Sequence, residues 1–203
     1  MPLQSIAVPE TIHEILLPQT EADLIDDAND RIEAFMLADQ EVIENFVTCD
    51  FHLVAQSLHW ITENHLLAGN RFCELGSGFG VVTMLAAQLQ MESVGIEIES
   101  VLVEQSQSLA DDLGVAANFF RGSFVPRGAG VLELGSEMKN VTVDEDDVYD
   151  EIGLGMDEFD LFFAFPWPGE HTFFEAVFNA CAADGSLLLT YRGREGMNLV
   201  RKI

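Results

Sequence analysis

From Gly69 to Ile203, short apolar segments of strand length alternate with stretches of helical spacing. A chain built this way folds as a mostly parallel sheet with helices on both faces. Phe72 to Leu75 reads as a strand and Val82 to Leu89 as the helix after it. Ser93 to Ile98 repeats the strand, and Ser100 to Leu113 the helix, with Val101, Leu102, Leu109 and Leu113 apolar. Asn118 to Arg121 is a third, shorter strand, and Phe159 to Phe165 is almost continuously apolar, the mark of a strand buried on both faces. A helix over Phe173 to Ala183 ends near Gly185 and leads to a strand over Ser186 to Tyr191. The expected class is α/β: a Rossmann-like open sheet over residues 69–203, covered on both faces.

Residues 1–68 differ in texture and predict an N-terminal helical extension packed on that core. Leu24, Ile25, Ala28, Ile32, Phe35 and Met36 recur at three and four, which predicts an amphipathic helix from an N-cap at Thr20 to about Asn45. Asp50 is the expected cap of a second helix reaching about His65, with Val54, Leu58 and Ile61 on one face. With 203 residues, 48% of them hydrophobic, the chain supplies one substantial core. Between the third and fourth strands, residues 131–158 are too long for a plain connection and predict an acidic insertion. From Glu133 to Glu158 it holds ten acidic residues and one basic one, Lys139, and Asp146 to Ile152 has the makings of a short helix.

The turn Glu74-Leu75-Gly76-Ser77-Gly78-Phe79-Gly80 joins the first strand to its helix. Glycines there let the backbone bend sharply and a ligand come close. A nicotinamide fingerprint needs glycine or alanine at its sixth position, which is Val81 here. Glu97, 21 positions after Gly76 at the end of the second strand, is placed to accept both hydroxyls of a ribose. An acid followed by Gly-x-Gly-x-Gly, with that second acid, resembles the class I S-adenosylmethionine-dependent methyltransferases. The resemblance implies S-adenosyl-L-methionine as cofactor, with Gly76, Ser77, Gly78 and Gly80 beside its methionine portion and Glu74 holding the amino group or orienting the turn. It makes Glu97 the ribose ligand and lays Ile98 on the adenine. Arg121-Gly122-Ser123-Phe124 matches the third contact region, where Ser123 replaces the usual acid and either binds adenine or only shapes the turn.

Phe165-Pro166-Trp167-Pro168-Gly169-Glu170 follows the buried fourth strand, and ligands sit at the carboxyl ends of strands in such sheets. Two prolines around a tryptophan make a stiff wall suited to excluding water around an acceptor. Phe165, Pro166, Trp167 and Glu170 are therefore the candidate catalytic residues, with His171 the other nearby titratable group. This loop resembles one in uncharacterised bacterial methyltransferases with Pro-Trp-Pro-Gly-Glu. Amino-methylating relatives carry Asn or Asp where Phe165 stands, and guanine-N7 tRNA methyltransferases carry Pro-Trp-Pro followed by basic residues instead of Gly169-Glu170. Asn45-Phe46-Val47-Thr48-Cys49-Asp50 is similar to a stretch that lies over the cofactor in several protein-lysine methyltransferases. The implied reaction is methyl transfer by in-line displacement to a small-molecule or protein acceptor. A non-catalytic binding or interaction protein and an NAD-dependent oxidoreductase are the alternatives.

Thirty-five acidic residues against nine basic ones give a formal charge of -26, which opposes nucleic-acid partners. Four of the nine, Arg192, Arg194, Arg201 and Lys202, fall in the last twelve positions, where a positive patch is left open. Cys49, Cys73 and Cys181 lack metal-site spacing and predict reduced thiols, and His13, His52, His59, His65 and His171 show no metal motif. With no apolar run of about 20 residues and no basic signal start, a cytoplasmic protein without a metal is expected. The family adds two strands after Tyr191, and Gly193 to Ile203 has room only for one at Met197 to Lys202. A shortened C-terminal hairpin, or a sheet completed by another subunit of an oligomer, is the expectation.

Overall fold

The computed structural model describes residues 3–38, 47–129 and 147–203. Seven strands form one sheet: β1 (Leu3–Ile6), β2 (Arg71–Leu75), β3 (Glu92–Glu97), β4 (Asn118–Arg121), β5 (Leu161–Ala164), β6 (Leu187–Tyr191) and β7 (Met197–Lys202). Their order is β1-β7-β6-β5-β2-β3-β4. Strands β6, β5, β2, β3 and β4 are parallel, while β7 runs antiparallel between β6 and β1. The chain moves outward from β2 to β3 and β4, then returns to β5 on the other side of β2. The direction of winding thus reverses between β2 and β5, and in open α/β sheets that reversal opens a crevice at the carboxyl ends of the strands.

The missing edge strand is supplied from the same chain. β1 pairs with β7 from Leu3 opposite Lys202 to Ile6 opposite Leu199. Only β7 follows β6, as the short C-terminal stretch predicts, and its outer edge is covered by β1 of the same chain instead of by another subunit. Four residues with only Leu3 and Ile6 turned partly inward carry too little alternation to announce a strand, and their partner lies at the far end of the sequence.

Helices α1 (Gln19–Leu37), α2 (Phe51–Glu63), α3 (Val81–Gln88), α4 (Ser100–Leu113), α5 (Val148–Ile152) and α6 (His171–Cys181) complete the fold. Asp50 caps α2 as expected, its Oδ1 accepting the Leu53 N–H at 3.0 Å. Thr20 does not cap α1. Pro18 precedes the helix and Gln19 begins it, because proline sets an extended backbone there and brings no N–H to satisfy. The helix ends at Leu37, and Asn45, its expected end, lies outside the described residues.

Two cores flank the sheet. On one face Phe72, Leu161, Phe163, Leu187 and Leu189 meet Leu24, Ile25 and Ala28 of α1, Val54, Leu58 and Ile61 of α2, and Met84 and Leu85 of α3. On the other, Cys73, Leu75, Phe162 and Leu188 meet Phe173, Phe174, Val177 and Phe178 of α6. Leu161 and Phe163 point one way and Phe162 and Ala164 the other, so β5 is buried on both faces as its run predicts. Each such side chain taken fully out of water contributes about 1.5–3 kcal/mol before entropy is counted.

Within the acidic stretch, residues 130–146 lie outside the described residues. In the rest, the acidic side chains of Asp150, Glu151, Asp157 and Glu158 are exposed, while Val148, Tyr149 and Met156 are buried and Asp147 caps α5 by accepting the Tyr149 N–H. The C-terminal cations do not make a patch. Arg192 pairs with Glu175, Arg201 donates to the Leu66 carbonyl, and Lys202 is buried with its ammonium on the Ala182 carbonyl at the end of α6. No helix of the described residues is long and apolar enough to cross a membrane, and no cluster of potential metal ligands occurs among them.

Candidate cofactor and acceptor cavity

A cavity of about 300 Å³ opens at the carboxyl ends of β2, β3 and β5, where the winding reverses. Its floor is the glycine turn. The N–H groups of Gly76 and Ser77 both donate to the Ile96 carbonyl at 2.9 Å, which curls the turn over the end of β3. Gly76 has φ +80, and a Cβ built there meets nothing within 4 Å, so this glycine leaves space at the cavity. Gly78 also lines the cavity and donates its N–H to Glu97 Oε2 at 2.8 Å.

Gly80 does something else. It is absent from the cavity wall, and its own Cβ would fall 2.2 Å from the Phe119 ring. Its left-handed φ of +70 turns the chain into α3, so this glycine serves helix-to-strand packing and supports the site indirectly. Gly95, in the middle of β3, is a similar case that the sequence motif did not single out. A Cβ there would meet Ser77 and Phe119 at less than 3.0 Å.

Two carboxylates hold the turn. Glu97, 8% exposed, accepts three backbone N–H groups: Gly78 on Oε2, and Ile98 and Glu99 on Oε1 at 2.8 and 3.0 Å. Three of its roughly four lone-pair directions are used, which leaves acceptor capacity on Oε2. Glu99 occupies the N-cap position of α4 but makes no capping bond with its side chain; it lines the cavity instead. Glu74, buried at the end of β2, accepts both the N–H and the hydroxyl of Thr83 on Oε2, at 2.8 and 2.6 Å. It therefore caps α3 from a distance, because Gly80 has no side chain to do so. Burial pushes the Glu74 carboxyl up to about 8, against the two Thr83 hydrogen bonds that favour its charged form and with a further push from Glu97.

Ile98, Ser123 and Phe124 line the far side of the cavity. The Ser123 hydroxyl accepts the Val125 N–H at 3.2 Å, which is the turn-shaping role. Phe124 stacks on Phe174 of α6 with centroids 4.9 Å apart. The end of the acidic stretch braces this turn: Tyr149 donates its hydroxyl to the Phe124 carbonyl, and Val148 packs where a Cβ on Gly122 would lie.

Opposite stand Phe165, Trp167 and Glu170, all in the cavity wall, whereas Pro166 is buried behind it and His171 does not reach it. Phe165 packs on Tyr191 with centroids 5.0 Å apart. Glu170, 9% exposed, sits at the N-cap of α6 yet makes no capping bond with its side chain. Val47, Thr48, Cys49 and Phe51 close the cavity from the N-terminal side; Asn45 and Phe46 lie outside the described residues. Burial and the neighbouring Glu74 raise the Cys49 thiol well above its usual range, so it is a protonated wall residue. Among the described wall residues one buried polar atom has no partner: the hydroxyl of Ser77, a residue 6% exposed.

No protein-family model and no curated protein sequence matches the chain. Solved structures do. An RNA methyltransferase from Salinibacter ruber, in complex with S-adenosyl-L-homocysteine, superposes over 77% of this chain and 92% of its own, with a TM-score of 0.50 and 17% identity. A methyltransferase from Geobacter sulfurreducens does so over 93% and 92%, with a TM-score of 0.54 and 13% identity. A hypothetical protein from Thermus thermophilus covers 82% of this chain with 94% of its own, at a TM-score of 0.52 and 14% identity. This chain shares their fold, a mostly parallel Rossmann-like sheet. At such identities the likeness extends to the fold alone.

Proposed function

We propose that the chain is an S-adenosylmethionine-dependent methyltransferase. The observation that carries this reading is one continuous cavity with the Glu97 carboxylate and the glycine turn on one side and the Phe165, Trp167 and Glu170 wall on the other. Two local features fit the cofactor: the open space at Gly76, and the buried Ser77 hydroxyl that lacks a partner. In this reading Glu97 takes a ribose hydroxyl on its remaining acceptor capacity, while Ile98, Ser123 and Phe124 border the adenine. Gly76, Ser77 and Gly78 border the methionine portion, and Gly80 acts through packing alone. The presence of S-adenosyl-L-homocysteine in a protein of the same fold supports the same assignment.

When bound, S-adenosylmethionine supplies a methyl group already activated on sulfur. The protein's own task is then proximity and exclusion of water. Phe165 and Trp167 supply apolar surface, with Phe165 held by Tyr191, and Glu170 is the carboxylate on the acceptor side. The test is calorimetric binding of S-adenosylmethionine, S-adenosylhomocysteine and NADH, followed by transfer of a radiolabelled methyl group. Binding of the first two and not NADH is the expected result; the reverse overturns the reading.

A second reading, a non-catalytic S-adenosylmethionine-binding protein, is favoured by one observation. Phe165 brings no polar atom to the position where amino-methylating relatives carry Asn or Asp. Tight binding of S-adenosylhomocysteine without transfer to any acceptor would support it.

A further inference from the structure

Three consecutive residues at the end of the acidic stretch each hold a different point on the turn that follows β4. Asp147 accepts the Arg127 N–H on Oδ2 at 2.9 Å and the Tyr149 N–H on Oδ1 at 3.1 Å, so one carboxylate ties the turn to the start of α5. Val148 fills the place of a Gly122 side chain, its Cβ 2.8 Å from where a Cβ on that glycine would stand. Tyr149, 6% exposed, donates its hydroxyl to the Phe124 carbonyl at 3.0 Å. Burial keeps that hydroxyl protonated well above its usual range, so it stays a donor at neutral pH.

No residue of α5 is in the cavity wall, whereas Gly122, Ser123 and Phe124 all are. From the sheet, the turn is held by the Gly122 N–H on the Glu97 carbonyl at 2.9 Å and, from α6, by Phe174 under the Phe124 ring. From α5 it receives the bonds of Asp147 and Tyr149. A cofactor that packs against this turn needs it in one place, and a wall ordered in advance draws nothing from the binding energy. Without the Tyr149 hydroxyl the part-buried Phe124 carbonyl loses a partner and the turn a hold. Linkage makes the relation mutual: a ligand seated against the turn favours the docked arrangement of α5.

We propose that Tyr149 is a positioning residue for the cofactor, acting through the Phe124 carbonyl, and that cofactor binding and the docking of α5 strengthen each other. The inference rests on the methyl-transfer reading, in which Ser123 and Phe124 border the adenine. It gives the end of the acidic stretch a part in the cofactor site, although α5 itself stays outside the cavity wall.

The experiment compares the full chain with Tyr149→Phe, which keeps the ring and drops the hydroxyl. Affinities for S-adenosylhomocysteine and adenosine are measured by calorimetry well below the unfolding transition. Both should weaken by about five- to tenfold and by the same factor, because the loss lies at the adenine end, with the circular dichroism spectrum unchanged. Val200→Ala, in the same core but on β7, is the control: it lowers thermal stability and leaves both affinities within about twofold. Hydrogen exchange on the unaltered chain reads the coupling without any substitution, and decides the matter should Tyr149→Phe not fold. S-adenosylhomocysteine should slow exchange in residues 148–152 as well as in 122–125. The proposal is overturned if folded Tyr149→Phe binds both ligands as tightly as the parent, if Val200→Ala loses as much affinity, or if the ligand slows exchange in 122–125 and leaves α5 unchanged. Should the parent chain bind neither ligand, the methyl-transfer reading falls and takes this inference with it, whereas each of the other failures leaves that reading standing.

Discussion

The Glu97 carboxylate accepts the Gly78 N–H at 2.8 Å, fastening the end of β3 to the glycine turn that follows β2. With Ile98 and Glu99 on its other oxygen, one side chain fixes two sides of the cavity before any ligand arrives. Glu97→Gln turns an amide NH₂ toward one set of these donors. It should lower stability by about 1–3 kcal/mol in urea titrations and weaken S-adenosylhomocysteine binding about tenfold or more. Unchanged affinity in a folded variant would remove Glu97 from the cofactor site.

Glu74 makes stability depend on pH. Its carboxyl titrates at about 8 in the fold, against an ordinary value of 4.5. The native state therefore keeps a proton that the unfolded chain releases, and this group's contribution is full below about pH 4.5 and is lost as pH rises toward 8. The loss is on the order of a few kcal/mol. Glu74→Gln should flatten that part of the decline when unfolding free energies are compared between pH 5 and 8. A variant with the same slope as the parent would contradict the buried, protonated carboxyl.

Two glycines of one motif should fail in different ways. Gly80→Ala drives a Cβ into the Phe119 ring at a left-handed backbone position and should destabilise the fold by about 2–5 kcal/mol. Gly76→Ala meets no atom and should cost only about 1–2 kcal/mol from its backbone, while S-adenosylhomocysteine affinity drops about tenfold or more. Thermal unfolding and calorimetry on the two variants separate the cases, and equal affinity losses per unit of stability lost would show that both act through the fold.

β1 protects an edge. Alternate residues of an edge strand donate to its neighbour, so the double substitution Gln4→Pro, Ser5→Pro removes at least one bond to β7 whichever register face donates. Stability should fall by about 1–3 kcal/mol, and the uncovered edge of β7 should promote association visible by light scattering. A monodisperse variant of parental stability would mean that β7 needs no cover.

Elements with local signals were legible in the sequence. Ser100–Leu113, Asn118–Arg121 and Met197–Lys202 occur with the boundaries that periodicity and capping suggest, and Asp50 caps α2. β1 was not legible, since its four residues gain a partner only across the whole chain. Val47, Thr48 and Cys49 line the cavity from the stretch singled out in the sequence, whereas the wall residues Phe51 and Phe174 come from elements distant in sequence, and Thr83 acquires its role only because α3 starts beside the end of β2. Gly95 sits beside a recognisable acid, yet only the approach of Ser77 and Phe119 explains it.

By itself, then, the sequence determined the parallel sheet, the bend after β2 and the acid at the end of β3, because period, glycine and spacing along one strand-helix-strand unit are local properties. Tertiary structure decided which glycine faces ligand and which faces a ring, that the first residues of the chain close the last edge of the sheet, and that Glu170 stands across the cavity from Glu97. Those relations depend on which elements meet after the winding reverses at β2, and no local pattern encodes that meeting.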